Sequence, residues 1–188
     1  FGGSCFKKDI LHLAYLCQNY GLSEVGDYWE SIVRINEYQK ERFILKMLQA
    51  MFNTLSSKKI CLLGFAFKAN TGDTRESPAI YIAKRLLEEK AEIVISDPHA
   101  LKNAREDMKG LEGEICYDED VYQAVRGCHA ICVLTEWKMY RDLDFPLIFD
   151  AMVKPAFIFD GRNILDHKGC FDIGFNVYPI GKPPLTHF

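Results

Sequence analysis

Residues 59–67 read Lys-Ile-Cys-Leu-Leu-Gly-Phe-Ala-Phe, an apolar run interrupted only by one glycine. A short, continuously apolar run bounded by polar residues is typical of a strand that is buried on both faces. We therefore predict a buried strand here, then a polar loop, and then a helix over residues 78–90 that begins at Pro78. A strand–loop–helix unit of this kind is the building block of a parallel sheet covered by helices.

The same alternation of strand and helix continues through the rest of the chain. Further apolar strands are predicted at residues 92–96, 130–134, 157–159 and, at a sheet edge, 174–179, and further helices at 118–127 and 146–153. Residues 100–110 are highly charged and give no clear pattern. Because apolar strands separated by helices indicate a parallel sheet, we expect an α/β, Rossmann-like, doubly wound domain over residues 58–188.

The N-terminal part of the chain has a helical pattern instead. Apolar side chains recur at helical spacing over residues 5–20 and again from about 24 to 55. A helix of about 30 residues is about 45 Å long and needs a surface to pack against. Residues 1–57 are therefore expected to form a spine between two domains or a subunit interface.

The composition excludes several classes of protein. The 188 residues are 48% hydrophobic and 26% charged, and 23 basic against 26 acidic side chains give a net charge of −3. This balance argues against a partner that is nucleic acid or an anionic membrane, and no apolar run approaches the roughly 20 residues of a membrane span. Seven irregularly spaced cysteines favour free thiols and hence a reducing, cytoplasmic location. Cys128, His129 and Cys132 could be metal ligands, but a buried strand is favoured there and no metal site is predicted.

One cysteine has a sequence context that suits chemistry. Cys5 follows two glycines and Ser4, a good N-cap, at the start of the first predicted helix, where unpaired N–H groups favour an anion. Lys7 and Lys8 add positive charge, so the thiolate nucleophile is favoured, and Asp9 one turn on could position water or transfer a proton. A structural cysteine beside a solvated helix start is an equal alternative. A thiol hydrolase is another, and it would need a histidine beside Cys5 in the fold.

Two loops carry cations that could bind phosphate. Lys68 and Arg75 lie in the loop after the first strand, and Ser77 and Pro78 then begin a helix. Backbone N–H groups, a helix N-terminus and two cations suit a diphosphate, although neither GxGxxG nor GK[ST] is present. Arg162, after the strand at 157–159, could pair with a carboxylate or phosphate. The alternatives are a plain connecting loop with solvated charges and a surface arginine.

Three motifs, in this order, resemble the UDP-glucose/GDP-mannose dehydrogenase family. They are Phe-Gly-Gly-Ser-Cys-Phe-Lys-Lys-Asp at 1–9, Gly-Phe-Ala-Phe-Lys with Thr-Gly-Asp-Thr-Arg-Glu-Ser across 64–77, and Phe-Asp-Gly-Arg at 159–162; Leu-Thr-Glu-Trp at 134–137 is also similar. The resemblance covers essentially the whole chain, and the residues of the first two motifs are more similar to those of the UDP-glucose branch of the family. The chain departs from the family at Lys7, where many members have Gln, and at Ala69, where a charged residue is common.

The resemblance implies NAD-dependent oxidation of the C6 alcohol of UDP-glucose to a carboxylate in two hydride transfers. It makes Cys5 the nucleophile that forms a thiohemiacetal and then a thioester, Asp9 an aid to proton transfer through water, and Lys8 a residue near the cofactor. It assigns substrate binding to Phe1, Gly2, Gly3, Phe67, Lys68 and Arg162, and NAD contacts to Cys5, Lys8 and Arg75.

The resemblance also implies a division of labour along the chain. Residues 1–57 would be the central dimerisation segment, with a homo-oligomer formed through residues 24–55, and residues 58–188 the UDP-binding domain. An N-terminal NAD-binding domain would be missing, so the chain alone is expected to be inactive. The alternatives are a GDP-mannose or related nucleotide-sugar dehydrogenase, and a nucleotide-binding and oligomerisation module without catalysis of its own.

Overall fold

The computed structural model describes all 188 residues and contains one six-stranded sheet in which all neighbouring strands are parallel. The strands are β1 (Lys59–Leu63), β2 (Glu92–Ser96), β3 (Ile115–Tyr117), β4 (Ala130–Val133), β5 (Phe157–Asp160) and β6 (Asn176–Pro179). Their order across the sheet is β3-β2-β1-β4-β5-β6. This is the strand order of doubly wound nucleotide-binding folds, so the predicted α/β class is confirmed.

Helices cover both faces of the sheet. They are α3 (Pro78–Glu88), α4 (Leu101–Asp107), α5 (Val121–Ala124), α6 (Phe145–Ala151) and α7 (His167–Ile173), with a 3₁₀ turn at Lys138–Asp142. Successive strand residues point to opposite faces: Ile60 and Leu62 belong to one buried cluster, and Cys61 and Leu63 to the other. Because each face has its own core, the strands are apolar throughout, which is why the sequence reveals them.

Two helices precede the sheet and pack against each other, α1 (Phe6–Asn19) and α2 (Ser23–Ala50). The 28 residues of α2 make it about 42 Å long. Its C-terminal half is not a separate layer, because Phe43 and Met47 lie in the same buried cluster as Ile60 of β1. The predicted end at residue 55 is wrong, since Phe52 has a φ of 64°, outside the helical region.

Four elements of the sheet domain differ from the sequence expectations. The strand predicted over 59–67 ends at Leu63, because Gly64 takes a φ of +94° and turns the chain. The charged segment 100–110 contains α4, in which only Leu101 and Ala104 are buried. The short edge strand β3 and helix α7 were not predicted, because each buries too few side chains to leave a periodic pattern. No helix combines the length and the apolar character that a membrane crossing requires.

Candidate functional site

One arginine joins the loops that follow three neighbouring strands. The Arg162 side chain, after β5, donates from Nε to the carbonyl oxygen of Leu134 at 2.7 Å and from Nη2 to that of Phe67 at 3.1 Å. It also pairs with Glu136, with 3.4 Å between Nε and Oε2. Leu134 follows β4 and Phe67 follows β1, so the motif loops predicted from sequence meet at the carboxyl edge of the sheet. Ligands of doubly wound sheets bind at this edge.

The N-terminal residues lie directly on the loop after β1. The N–H of Gly3 donates to the carbonyl oxygen of Arg75 at 3.0 Å. A Cβ on Gly3, whose φ is +84°, would lie 2.9 Å from the ring of Phe67, and one on Gly2 would lie 2.7 Å from the carbonyl oxygen of Glu76. Both glycines are therefore needed for close packing of the two segments. The structure thus brings the first sequence motif onto the second.

Cys5 lies at the N-terminus of α1 with its thiol exposed. The expectation that Ser4 caps the helix is wrong: Cys5 itself is the N-cap residue, and no side chain caps the helix. The only side-chain atom within hydrogen-bonding distance of Sγ is Ser4 Oγ at 4.0 Å. The N–H of Asp9 donates to the carbonyl oxygen of Cys5 at 2.9 Å, so Asp9 lies one turn along the same helix, and Lys8 and Asp9 are both exposed. The three predicted catalytic side chains therefore share one open helix end.

A cavity of about 130 Å³ lies between α2 and the carboxyl edge of the sheet. Its lining includes Phe1, Arg162, Phe43, Asn36 and Lys40. Asn36 Nδ2 donates to the carbonyl oxygen of Phe1 at 3.0 Å, which fixes the first residue over the cavity. Two predicted substrate-binding residues, Phe1 and Arg162, are thus brought together, whereas Asn36 and Lys40 were missed. They lie in a strongly polar stretch of α2, residues 34–42, where the sequence does not show which polar side chains face the sheet.

Phe67 and Lys68 lie beside this cavity rather than in its lining. The ring of Phe67 is half-buried beneath Gly3, and Lys68 is exposed with its ammonium 5.3 Å from the centre of that ring. Such a separation is within the range of a cation–π contact. Phe67 therefore supports the N-terminal segment, and Lys68 presents a positive charge to solvent at the same edge.

Two backbone donors of the predicted diphosphate site on the loop after β1 are paired within the chain. The carboxylate of Asp97 accepts from the N–H of Phe65 at 2.7 Å and from that of Ala66 at 3.1 Å. Ser77 caps α3 as expected by accepting from the N–H of Ala79 at 3.3 Å. A phosphate at this loop would therefore depend on the side chains of Lys68 and Arg75 and on the other N–H groups of the loop. Asp97 was missed because its partners lie about 30 residues away in sequence.

Arg75 is exposed and already paired with a carboxylate on its own loop. Nε and Nη2 donate to Asp73, with contacts of 2.7–3.1 Å. These hydrogen bonds lower the pKa of the Asp73 carboxyl and raise the pKa of Arg75. A phosphate that binds Arg75 would therefore have to compete with Asp73 for the guanidinium. Exposed Lys8 and Arg75 remain side chains that could touch a cofactor held elsewhere.

The two alternative roles for cysteine find little support in the geometry. No histidine hydrogen bonds to Cys5: His167 pairs with buried Asp160, with 2.9 Å between Nε2 and Oδ2, and His129 accepts from the N–H of Lys59. No cluster of three or more candidate ligands could hold a metal ion. Cys128 donates instead to the carbonyl oxygen of Ala124, and Cys132 lies beside the sulfur of Met47.

Comparison with known proteins places this geometry in a family. Residues 61–167 match the model of the UDP-glucose/GDP-mannose dehydrogenase family, UDP binding domain. The chain is 48% identical over 201 residues to UDP-glucose 6-dehydrogenase 4 of Arabidopsis thaliana, covering 97% of this chain and 42% of that protein. It is 47% identical over 206 residues to UDP-glucose 6-dehydrogenase 2 of Oryza sativa subsp. japonica, covering 100% and 42%. The chain thus spans less than half the length of these relatives.

A solved structure shares the arrangement of elements. A UDP-glucose dehydrogenase from the hyperthermophilic archaeon Pyrobaculum islandicum superposes with a TM-score of 0.74 at 28% identity, over 93% of this chain and 38% of that one. The family model covers more than half of the present chain and includes the loops that meet at Arg162. The chain therefore belongs to the UDP-glucose/GDP-mannose dehydrogenase family.

Proposed function

We propose that this chain is the substrate-binding and nucleophile-bearing part of a cytoplasmic, NAD-dependent UDP-glucose 6-dehydrogenase. The observation that supports it most is the meeting of the three motif loops at one edge, where Arg162 binds two of them and the segment carrying Cys5 packs on the same loop. Relatives that are 44–48% identical over nearly the whole chain carry the name UDP-glucose 6-dehydrogenase.

The proposed reaction converts the C6 alcohol of UDP-glucose into a carboxylate. NAD⁺, when bound, would supply the hydride acceptor for each of the two oxidations, so two molecules of NAD⁺ are needed for each substrate. After the first oxidation, the thiolate of Cys5 adds to the C6 aldehyde, and the carbonyl electron pair moves to oxygen, which takes up a proton. Loss of the second hydride from carbon, together with the proton of the hydroxyl group, converts this tetrahedral adduct into a thioester on Cys5. Water then attacks the thioester, and the C–S bond breaks to return the thiolate and release the acid.

The residues beside Cys5 have supporting roles in this proposal. Asp9 lies one turn along the same exposed helix end and would hold the attacking water and take its proton. Lys8, whose ammonium is exposed, would stabilise the negative oxygen at C6 or lie against the cofactor. Arg75 would contact the cofactor only after its guanidinium turns away from Asp73.

The UDP part of the substrate would occupy the cavity next to Arg162. Its lining combines aromatic rings, Phe1 and Phe43, with the cations Lys40 and Arg162. A nucleobase can stack on the rings, and a diphosphate can pair with the cations. The cavity is small for a whole nucleotide, so the sugar would extend towards Lys68, Gly2 and the exposed thiol of Cys5.

The helical segment is the proposed contact with a second copy of the chain. Its exposed apolar side chains include Tyr28 (64% exposed), Ile35 (58%) and Tyr38 (60%) on α2. So many exposed apolar groups on one helix favour an interface between copies. Light scattering after size exclusion should give a dimer or larger assembly, and Ile35→Lys should shift it towards monomer. A monomeric parent chain would contradict this part of the proposal.

Calorimetric titration tests the binding part of the proposal. UDP should bind the chain, whereas NAD should not. Arg162→Ala should weaken the affinity for UDP at least tenfold. Lys109→Ala, at an exposed position after α4, should leave that affinity unchanged. Absence of binding at millimolar UDP would overturn the site.

To test catalysis, the chain is joined to the N-terminal portion of a relative. Cys5→Ser should then abolish formation of UDP-glucuronate, and continued acid formation would remove Cys5 from the mechanism.

A further inference from the structure

A lysine close to Cys5 connects three separate elements. Lys7 Nζ lies 2.9 Å from Glu76 Oε2 in the loop before α3 and 3.8 Å from Glu37 Oε1 on α2. Lys7 itself is in the first turn of α1, two residues after Cys5. We call Lys7, Glu37 and Glu76 the Lys7 strap. It crosses from the helix that carries the thiol to the loop that carries Arg75.

Two further observations indicate that the strap holds a defined geometry. Glu76 has a φ of 55°, a left-handed conformation that a glutamate adopts only at a cost. Glu37 Oε1 is buried and accepts no hydrogen bond, so Lys7 is a cation that compensates its charge, while Lys40 pairs with the other oxygen at 2.5 Å. The hydrogen bond to Glu76 raises the pKa of Lys7, which keeps the ammonium charged.

The strap complements the one backbone link between the same two segments. That link is the hydrogen bond from Gly3 N–H to the Arg75 carbonyl oxygen, which lies on the N-terminal side of Cys5. Lys7 contacts the same loop on the C-terminal side of Cys5. Cys5 has no strong side-chain partner of its own, since Ser4 Oγ is 4.0 Å away. Its position relative to the loop is therefore set by the contacts on either side of it.

We propose that Lys7 is a positioning residue, which binds Glu76 and Glu37 together and so holds the thiol of Cys5 against the Arg75 loop. The effect of this positioning on the reaction rests on the proposed function, in which Cys5 is the nucleophile. The positioning itself is independent of that function, because it concerns only how α1 and the Arg75 loop are held together. A glutamine at position 7 would be one atom shorter and neutral, so it could not supply the charge-assisted contacts that Lys7 makes with both carboxylates.

The rate at which iodoacetamide alkylates Cys5 tests the proposal directly on this chain. Cys116→Ser serves as the background, since Cys5 and Cys116 are the exposed thiols and the other five are buried. If Lys7 acted only through its charge, Lys7→Gln would slow alkylation and Glu76→Gln would speed it up. If the strap positions Cys5 beside Arg75, both variants should slow alkylation two- to fivefold, and the double variant should be no slower than either one.

Matched variants complete the test. Lys7→Arg should keep the parent rate, the exchange Lys7→Glu with Glu76→Lys should restore most of it, and Lys102→Gln, on the exposed side of α4, should have no effect. Opposite signs for Lys7→Gln and Glu76→Gln, or strictly additive effects, would overturn the proposal.

Kinetics separate this proposal from the catalytic one. In a catalytically complete protein, Lys7→Gln should lower kcat two- to fivefold and leave the KM for NAD unchanged, because ground-state binding of the cofactor does not use the strap. A different outcome is that the parent chain, joined to the N-terminal portion of a relative, shows no dehydrogenase activity at all. If alkylation of Cys5 still follows the predicted pattern, the proposed function fails and the positioning role stands.

Discussion

The carboxylate of Asp97 accepts a hydrogen bond of 2.7 Å from the backbone N–H of Phe65, and the same oxygen accepts from Ala66 at 3.1 Å. Asp97 follows β2, and the two amides follow β1. In dinucleotide-binding sheets of this topology the turn after the first strand faces the pyrophosphate. Here an internal carboxylate accepts from those two amides, so they are not free to bind a phosphate.

Asp97→Asn is predicted to destabilise the chain by about 3 kcal/mol. Asp97 is buried, and it also accepts from the N–H groups of His99 and Ala100 and from Trp137 Nε1. Both carboxylate oxygens accept from N–H groups, and the asparagine would replace one of them with an NH₂ group, which is itself a donor. The N–H groups at that oxygen would then be buried without an acceptor. Urea unfolding measures the loss. Asp107→Asn, exposed at the end of α4, should change stability by less than about 0.5 kcal/mol, and an equally small effect at Asp97 would contradict this account.

The sheet was predictable from sequence because its signal is local. Ile60, Cys61, Leu62 and Leu63 are all buried, and four adjacent apolar residues show this without knowledge of their neighbours. The contacts of Asp97 gave no such signal, because a charged residue before a proline equally suits a solvated turn. Whether it is buried depends on loops that only the folded sheet brings together.

Gly64→Ala is predicted to cost several times more stability than Gly110→Ala. Both glycines have positive φ, +94° and +79°, so both alanines carry the backbone strain of about 1–2 kcal/mol. A Cβ on Gly64 would also lie 2.3 Å from Cβ and 2.7 Å from the backbone nitrogen of Thr135, whereas nothing lies within 4 Å at Gly110. Because Thr135 precedes Glu136 and donates to the Ala66 carbonyl oxygen, it cannot move without disturbing the site.

Thermal unfolding of the two alanine variants checks this comparison. Gly110→Ala should lower Tm by a few degrees, and Gly64→Ala should lower it by at least 10 °C or prevent folding. The pair separates strain from steric overlap, because the backbone conformation is similar at both positions. Equal losses would show that the close approach to Thr135 relaxes easily.

Stability is predicted to fall as the pH rises above about 9, because of the buried cysteines. Burial raises the pKa of Cys128 and Cys170 from 9.0 to about 12. The folded chain therefore keeps these protons up to about pH 12, whereas the unfolded chain loses them near pH 9. Unfolding then releases protons between these values, and each such thiol removes up to about 1.4 kcal/mol of stability per pH unit.

Urea midpoints at pH 7, 8, 9 and 10 measure this dependence. The urea midpoint should change little up to about pH 8 and fall clearly above about pH 9. Cys128→Ala should make the fall shallower, and Cys116→Ala, at an exposed position, should leave it unchanged. A midpoint that holds to pH 10 would mean that these thiols do not stay protonated through burial.

The sequence suggested residues for the candidate site but not the contacts between them. The Phe-Asp-Gly-Arg and Gly-Phe-Ala-Phe motifs suggested that Arg162 and Phe67 act on a ligand. The structure shows Arg162 bound to the Phe67 carbonyl oxygen, 95 residues away in sequence. Residue types suggest chemistry, whereas a contact between a side chain and a distant backbone oxygen depends on strand order and loop length.

Arg162→Lys is predicted to weaken UDP binding about tenfold and to cost about 1–2 kcal/mol of stability. A lysine ammonium is a point donor on a flexible stem and cannot reproduce the planar fork that reaches Leu134 and Phe67 together. The cavity should therefore change shape, which weakens UDP binding, and the loops after β1 and β4 should be held together less firmly, which lowers stability. Titration with UDP and urea unfolding give the two quantities, with Arg34→Lys, an exposed arginine on α2, as the matched control. If affinity falls and stability does not, Arg162 acts on the ligand alone. If stability falls and UDP affinity is kept, Arg162 holds the loops and the nucleotide binds elsewhere.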